Sequence, residues 1–224
     1  MSTVSDLAVI WDMDGVIVDT GVYHRDAWID AFGKRGIDFT AEDFVVTFGT
    51  RNDDVIRRIL GKKAPRELVR EISEEKEADY RRRIAESIVA LPGVVALLED
   101  LAADGFKQAI ATSAPLANVR QIMQSLDLDR YFDCVVTEKD VTEGKPSPQG
   151  FLLAARTLDV PAANCVVIED AVAGVSAARR AGMRCVAVTT SHPRRSLGQA
   201  DLIVDSLEDV SAAGLRRLLG ITDG

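Results

Sequence analysis

Short, mainly apolar runs recur along the chain and are typical of buried strands. They span residues 7–11, 106–111, 134–136, 166–168, 185–188 and 202–204. From residue 94 onward, amphipathic stretches with helical spacing separate these runs; they cover residues 94–104, 119–126, 151–158, 172–181 and 207–219. Strands that alternate with helices predict right-handed βαβ units and a parallel sheet covered on both faces.

Between the first two predicted strands the chain shows only helical patterns. They predict a first helix from residue 21 to Gly33 or Gly36 and further helices over residues 41–48, 52–60 and 66–87, with Thr20 as a candidate cap of the first. The last helix is densely charged, and we expect most of it to be solvated because its apolar stripe is narrow. That stripe consists of Leu68, Ile72, Tyr80 and Ile84. The pattern therefore predicts an α/β fold with an all-helical block inserted after the first strand.

The composition is that of a soluble globular protein, with 224 residues of which 47% are apolar and 28% charged. A net charge of −8 argues against a general nucleic-acid surface, and no apolar run approaches the ~20 residues that span a bilayer. The first six residues lack the basic segment of a signal peptide. The three cysteines are widely spaced and are expected to be small buried hydrophobes in a reducing cytoplasm.

Polar side chains collect where the predicted strands end. They are Asp12 and Asp14 after the first strand, Thr112 and Ser113 after the second, Lys145 in the loop after the third, and Glu169 and Asp170 after the fourth. Ligands of open parallel sheets bind at the carboxyl ends of the strands, so these groups are candidates for one site. Each group also has a structural alternative. Asp12 and Asp14 could belong to an ordinary turn, and Lys145 could be a solvated loop lysine. The pairs Thr112-Ser113 and Glu169-Asp170 could cap the helices that follow them.

These residue types fit phosphoryl transfer through a carboxylate nucleophile. Asp12, with Glu169 or Asp170, can supply the oxygen ligands that Mg²⁺ prefers. Ser113 is suited to phosphate binding, and Lys145 to neutralising negative charge. Asp14 is suited to proton transfer.

The ordered combination of Asp12-Met13-Asp14-Gly15-Val16, Ser113, Lys145-Pro146 and Glu169-Asp170 resembles the haloacid dehalogenase superfamily, and within it the β-phosphoglucomutase-type phosphatases and mutases. The resemblance implies a Rossmann-like core formed by residues 1–17 and 88–224, with residues 18–87 as a mobile helical cap. It implies that Asp12 is the nucleophile and Asp14 the acid and base. Mg²⁺ would be held by the Asp12 side chain, the Asp14 carbonyl and Asp170, with Glu169 as a neighbour or ligand.

The resemblance also implies that the cap and the strand ends bind the substrate together. The candidates are Gly15, Thr20, His24, Trp28, Gly49, Arg51, Asn52, Lys76, Ser113, Ala114 and Asn118. His24 would couple cap closure to the protonation of Asp14. The structural alternatives are a cap-core position for His24 and Trp28 and a solvated position for Lys76.

Two departures from the mutase pattern favour simple hydrolysis. Mutases of this type place an arginine where this chain has Asn52, one residue after Arg51, and they have a lysine between positions 113 and 118, where this chain has none. A sugar bisphosphate needs such cations for its second phosphate. We therefore expect a Mg²⁺-dependent phosphatase that acts on a small phosphorylated metabolite, most of all a sugar phosphate. The alternatives are a hexose phosphomutase and, less favoured, a non-enzymatic phospho-receiver or sugar-phosphate sensor. No nucleic-acid or membrane partner is expected, and the protein is predicted to be a monomer or weak dimer.

Overall fold

Six strands form one parallel sheet in the computed structural model, which describes residues 6–85 and 87–221. Their spatial order is β3-β2-β1-β4-β5-β6. Their bounds are β1 Ala8–Trp11, β2 Lys107–Ala111, β3 Cys134–Val136, β4 Cys165–Glu169, β5 Arg184–Val188 and β6 Leu202–Val204. Each predicted strand is present with its ends shifted by one residue at most, so the predicted parallel α/β core is confirmed.

The helices of the described residues fall into two groups. The group between β1 and β2 comprises α1 Gly21–Gly33, α2 Ala41–Thr47, α3 Asn52–Leu60 and α4 Arg66–Ile84. The group that alternates with the later strands comprises α5 Val94–Ala103, α6 Leu116–Leu126, α7 Gln149–Thr157, α8 Val172–Arg180 and α9 Ala212–Leu218. None of these helices has the combined length and apolarity that crossing a bilayer requires.

The sheet is buried on both faces, which explains why its strands consist mainly of apolar residues. Val9 and Trp11 point into one apolar cluster, and Ala8 and Ile10 point into the other. Trp11 also donates a hydrogen bond from Nε1 to the buried Gln108 side chain, at 3.1 Å. The charged side chains of the strands, Lys107, Glu169 and Arg184, lie at strand ends.

The register of the central strand places the candidate residues at one edge. Trp11 is paired with Ile110 of β2 on one side and with Ile168 of β4 on the other. The residues that follow these three positions leave the sheet together at its carboxyl edge. This is the edge that the inserted helices cover.

The inserted helices have an apolar core of their own. It contains Trp28, Phe32, Phe39, Ile56 and Ile72, together with neighbouring aliphatic side chains. Trp28 stacks on Phe32 with ring centroids 5.4 Å apart.

Three expectations about the helices are wrong in detail. α4 ends at Ile84 rather than at residue 87 (Glu86 itself lies outside the described residues). The predicted closing helix over 207–219 is a short 3₁₀ turn, Leu207–Asp209, followed by α9, because the Ser211 side chain accepts from the backbone N–H of Gly214 and starts a new helix there. Most of α4 is exposed or half-buried, but its buried face is wider than the predicted stripe because it also holds Lys76, Glu77 and Asp79.

Candidate active site

Three buried carboxylates meet at the ends of β1 and β4. One oxygen from each of Asp12, Glu169 and Asp170 lies within 4.8 Å of the others, and the residues are 3%, 0% and 0% exposed. Gly15 adjoins this cluster with a φ of +83°, and a Cβ there would overlap the Asp170 carboxylate. A Cβ at Gly174 would likewise overlap the Glu169 carboxylate. Glycine at both positions therefore allows the backbone to pack directly against the acidic cluster.

Lys145 compensates part of this negative charge. Its Nζ lies 2.8 Å from Asp12 Oδ1 and also forms an ion pair with Glu169, while its side chain is only 9% exposed. The loop lysine is therefore buried between two acids rather than solvated.

The donor set fits a divalent cation. Glu169 is already engaged, since its Oε2 accepts from the backbone N–H groups of Asp170 and Ala171 at 2.9 and 2.8 Å. Both oxygens of Asp170 are buried with no hydrogen-bond partner among the described residues. Three carboxylates and one ammonium leave two negative charges, which a hard cation with oxygen ligands would neutralise. Asp12 and Asp170 would supply oxygen ligands to this cation, with Glu169 beside them.

Burial dominates the electrostatics of the cluster. It raises the pKa of Asp12 to about 7, with Lys145 opposing and Glu169 reinforcing the increase. Burial also raises the pKa of Asp170 well above its usual range, and Glu169 and Asp12 add to it. Burial therefore makes both acids harder to ionise than an exposed aspartate.

We expect the metal-free protein to become less stable as the pH rises from about 4 to about 7. A folded-state pKa above the unfolded value adds stability that is full below the unfolded pKa and disappears as the pH passes the folded one. Thermal unfolding of EDTA-treated protein at pH 5 and pH 8 measures the difference. Asp12→Asn should flatten it, and an unchanged pH dependence in that variant would contradict the assignment. Added Mg²⁺ should raise the unfolding temperature more at pH 8, because ligands must be deprotonated.

Asp14 lies in a different environment from Asp12, although only one residue separates them. Its Oδ1 accepts hydrogen bonds from the Thr20 hydroxyl at 2.5 Å, from His24 at 3.1 Å and from the Tyr80 hydroxyl at 3.1 Å. Burial alone would raise the pKa of Asp14, but its interactions with His24 and Thr20 and the charge of Lys76 outweigh burial and lower it. Thr20 forms no side-chain cap on α1, so its predicted capping role is wrong.

Lys76 connects His24 to the interior of the cap. Its Nζ lies 2.7 Å from His24 Nδ1, and the residue is 2% exposed. Because an ammonium has only donors, His24 accepts at Nδ1 and donates from Nε2 to Asp14, as the neutral imidazole. Lys76 also lies 5.0 Å from the Trp28 ring centroid. Its burial has a sequence signal, since it is four residues from both Ile72 and Tyr80 on the apolar stripe.

A cavity separates the cap from the strand ends. The predicted residues that line it are Asp12, Asp14, His24, Trp28, Gly49, Asn52, Lys76, Ser113 and Ala114. The Ser113 hydroxyl donates to the backbone carbonyl of Gly49 at 2.9 Å, which joins the core to the cap loop.

Other predicted residues lie outside this lining. Arg51 turns away and donates from Nη1 to the Thr142 carbonyl at 3.0 Å. Asn118 is fully buried and donates from Nδ2 to Glu77 at 2.5 Å. The sequence did not single out Glu77 or the contact of Tyr80 with Asp14, because an acid in a charged helix and a tyrosine in an apolar stripe both look structural.

Similarity to known proteins identifies the family. A model of the haloacid dehalogenase-like hydrolases matches residues 7–182. The chain belongs to this family. Beta-phosphoglucomutase of Bacillus subtilis (strain 168) is 35% identical over 211 residues, which are 91% of each protein. Hexitol phosphatase A of Escherichia coli (strain K12) is 32% identical over 206 residues, 90% of this chain and 92% of that protein.

The fold of this haloacid dehalogenase-like hydrolase is shared across nearly the whole chain. Beta-phosphoglucomutase from Clostridium difficile superposes with a TM-score of 0.88 at 29% identity, covering 96% of this chain and 97% of that one. A much longer Arabidopsis thaliana protein, SUPPRESSOR OF QUENCHING 1, chloroplastic, is 34% identical over 210 residues, and this chain spans only 20% of its length. The predicted family and fold are confirmed, as is the prediction of an enzyme of the phosphatase or phosphomutase type.

Proposed function

We propose that this enzyme is a Mg²⁺-dependent phosphatase that releases inorganic phosphate from a small phosphorylated metabolite, most of all a sugar phosphate. The observation that carries the proposal is the contact of Asp12 with Lys145, at 2.8 Å, beside the unpartnered Asp170 carboxylate. A nucleophilic carboxylate, a fixed cation and a free pair of oxygen ligands meet next to the cavity between the inserted helices and the strand ends. The similarity to a hexitol phosphatase supports the same reaction class.

In the proposed reaction, a carboxylate oxygen of Asp12 attacks the substrate phosphorus, and the bond from phosphorus to the leaving oxygen breaks. Asp14 gives that oxygen its proton. Asp14 then takes a proton from water, which attacks the aspartyl phosphate and releases phosphate, restoring Asp12. Lys145 offsets the charge on the phosphoryl group. Bound by Asp12, Asp170 and the Asp14 carbonyl, Mg²⁺ would add further neutralisation of phosphate oxygens.

The contacts of Asp14 impose a condition on this cycle. Three donors hold its carboxylate in the charged form, which suits a base but not an acid. To donate a proton, Asp14 must lose at least one of them. All three donors lie within residues 18–87, and His24 and Tyr80 belong to the inserted helices, so movement of these residues as a cap would supply the change.

Asp14→Asn is expected to slow hydrolysis of sugar phosphates by about 10²- to 10⁴-fold, the usual contribution of a general acid or base. With p-nitrophenyl phosphate the first step needs little protonation of the leaving group. The variant should therefore release one equivalent of nitrophenol rapidly and then turn over slowly. Rapid-quench kinetics measure both phases, and a variant with full steady-state turnover on sugar phosphates would contradict the role.

A hexose phosphomutase is the second candidate, and one observation favours it: a beta-phosphoglucomutase is 35% identical over 91% of this chain. Against it, Arg51 points out of the cavity, so it does not replace the arginine missing at Asn52.

The division into a core of residues 1–17 and 88–224 and a cap of residues 18–87 remains part of the proposal, supported by the separate apolar core of the inserted helices. The monomeric or weakly dimeric state and the cytoplasmic location also remain predictions, the second because one relative is described as chloroplastic.

The deciding experiment is a panel of phosphorylated metabolites incubated with EDTA-treated protein, with and without Mg²⁺. Free phosphate and isomeric products are both followed. The proposal expects Mg²⁺-dependent phosphate release from one or more monophosphates. Rapid isomerisation of β-glucose 1-phosphate in the presence of a trace of bisphosphate, with little free phosphate, would favour the mutase instead.

A further inference from the structure

Glu77 is a buried acid that the proposed chemical steps do not use. It follows Lys76 on α4, is 4% exposed and lines the cavity. Its Oε1 accepts from Lys76 Nζ at 2.6 Å and from Asn52 Nδ2 at 2.9 Å. Its Oε2 accepts from Asn118 Nδ2 at 2.5 Å. Donors from two cap elements and from the core therefore fix the position of one carboxylate.

This carboxylate cancels the positive charge of the cap side of the cavity. Among the described residues that line the cavity, Lys76 is the one lysine or arginine. Burial would raise the pKa of Glu77, but the charge of Lys76 and the hydrogen bonds from Lys76 and Asn118 outweigh burial and lower the pKa. The side chain is thus a charged carboxylate paired with the cation that could otherwise hold an anionic group of the substrate.

We propose that Glu77 determines substrate specificity by excluding molecules that carry a second phosphoryl group and by accepting a hydrogen bond from a neutral hydroxyl. This rests on the proposed phosphatase function and restricts its substrate class to monophosphates of hydroxylated compounds. A carboxylate has about four acceptor sites, and three donors already occupy Glu77, which leaves one for a substrate hydroxyl. A second phosphate at this position would face a buried like charge, and such repulsion is a common source of specificity.

Binding to matched probes tests the proposal. Affinities for fructose 1-phosphate and fructose 1,6-bisphosphate, and for glucose 1-phosphate and glucose 1,6-bisphosphate, are measured by calorimetry with Mg²⁺. The Asp12→Asn protein is used because it should bind without hydrolysis. We expect at least tenfold tighter binding of the monophosphate in one pair or both. Adding Glu77→Gln to this protein should shift the ratio of the two affinities toward the bisphosphate by about tenfold or more. Glu71→Gln, an equal charge change at an exposed site of α4, should leave the ratio unchanged.

The ratio of the two affinities separates a role in specificity from a merely structural role, because a loosened cap would weaken the binding of both ligands equally. Equal affinity for both members of each pair, no binding of either, or an unchanged ratio in Glu77→Gln would overturn the role of Glu77. If Glu77→Gln does not fold, the ratio of the two affinities measured with Glu77 intact still tests the proposal, because equal affinities would contradict it. Failure of the proposed function is a different result: the protein with Asp12 in place would then release no phosphate from any probe, whatever the affinities.

Discussion

Asp12→Asn is expected to lower kcat by about a thousandfold or more, the largest loss of activity among the substitutions considered. The carboxamide has nearly the shape of the carboxylate but lacks the charge and the nucleophilicity that attack on phosphorus requires. The strand end should keep its structure, because Asp12 follows the central strand and its backbone N–H is bonded to the Ile168 carbonyl at 3.0 Å. Removing one of three clustered acids also relieves repulsion, so the metal-free variant should unfold at a temperature no lower than that of the wild type at pH 8.

Steady-state phosphate release and acid-quenched labelling measure the effect together. The wild type should form an acid-stable, hydroxylamine-sensitive protein phosphate during turnover, and Asp12→Asn should form none. Asp38→Asn, the same change at an exposed position of the cap, serves as the control and should keep full activity. Near wild-type turnover in a correctly folded Asp12→Asn protein would end the aspartyl-phosphate proposal.

The fold and the strand-end acids were predictable because their signals are local. An unbroken apolar run predicts a buried strand, and the residue after it must leave the sheet at a known edge. Since Trp11, Ile110 and Ile168 share a register, the residues after them lie close together at one edge of the sheet. This proximity can be predicted without knowing the conformation of the loops. The proximity of Asp12 to Glu169 and Asp170 follows from this topology.

The connections within the cap were not predictable in the same way. They join residues far apart in the chain, such as Tyr80 with Asp14 and Asn118 with Glu77, and neither partner has an unusual local pattern. The direction of Arg51 also depends on a distant contact, the carbonyl of Thr142. Lys76 is the intermediate case: a cation on an apolar stripe predicts burial, but its partners depend on how α4 packs against α1.

Lys145→Ala is expected to have the largest effect on stability and to abolish most activity as well. The substitution leaves Asp12 and Glu169 buried without their cation, and breaking a buried ion pair from one side costs about 3–5 kcal/mol. For a chain of this size that corresponds to a decrease of roughly 10 °C in the unfolding temperature. Lys139→Ala removes an exposed lysine shortly before the same loop and should change the unfolding temperature little.

The dependence on pH and Mg²⁺ distinguishes this electrostatic cause from lost packing. Without Lys145, the pKa of Asp12 should rise beyond its value of about 7, because the ammonium opposes the effect of burial in the wild type. At pH 5 the carboxyl would then be protonated in the folded variant, so the deficit relative to wild type should be smaller than at pH 8. Saturating Mg²⁺ should also recover part of the loss at pH 8, since a cation bound by Asp12 and Asp170 replaces some of the missing positive charge. Equal destabilisation at both pH values, with no recovery by Mg²⁺, would mean that Lys145 contributes mainly through the packing of its side chain, whose Nζ lies 5.2 Å from the Phe151 ring centroid.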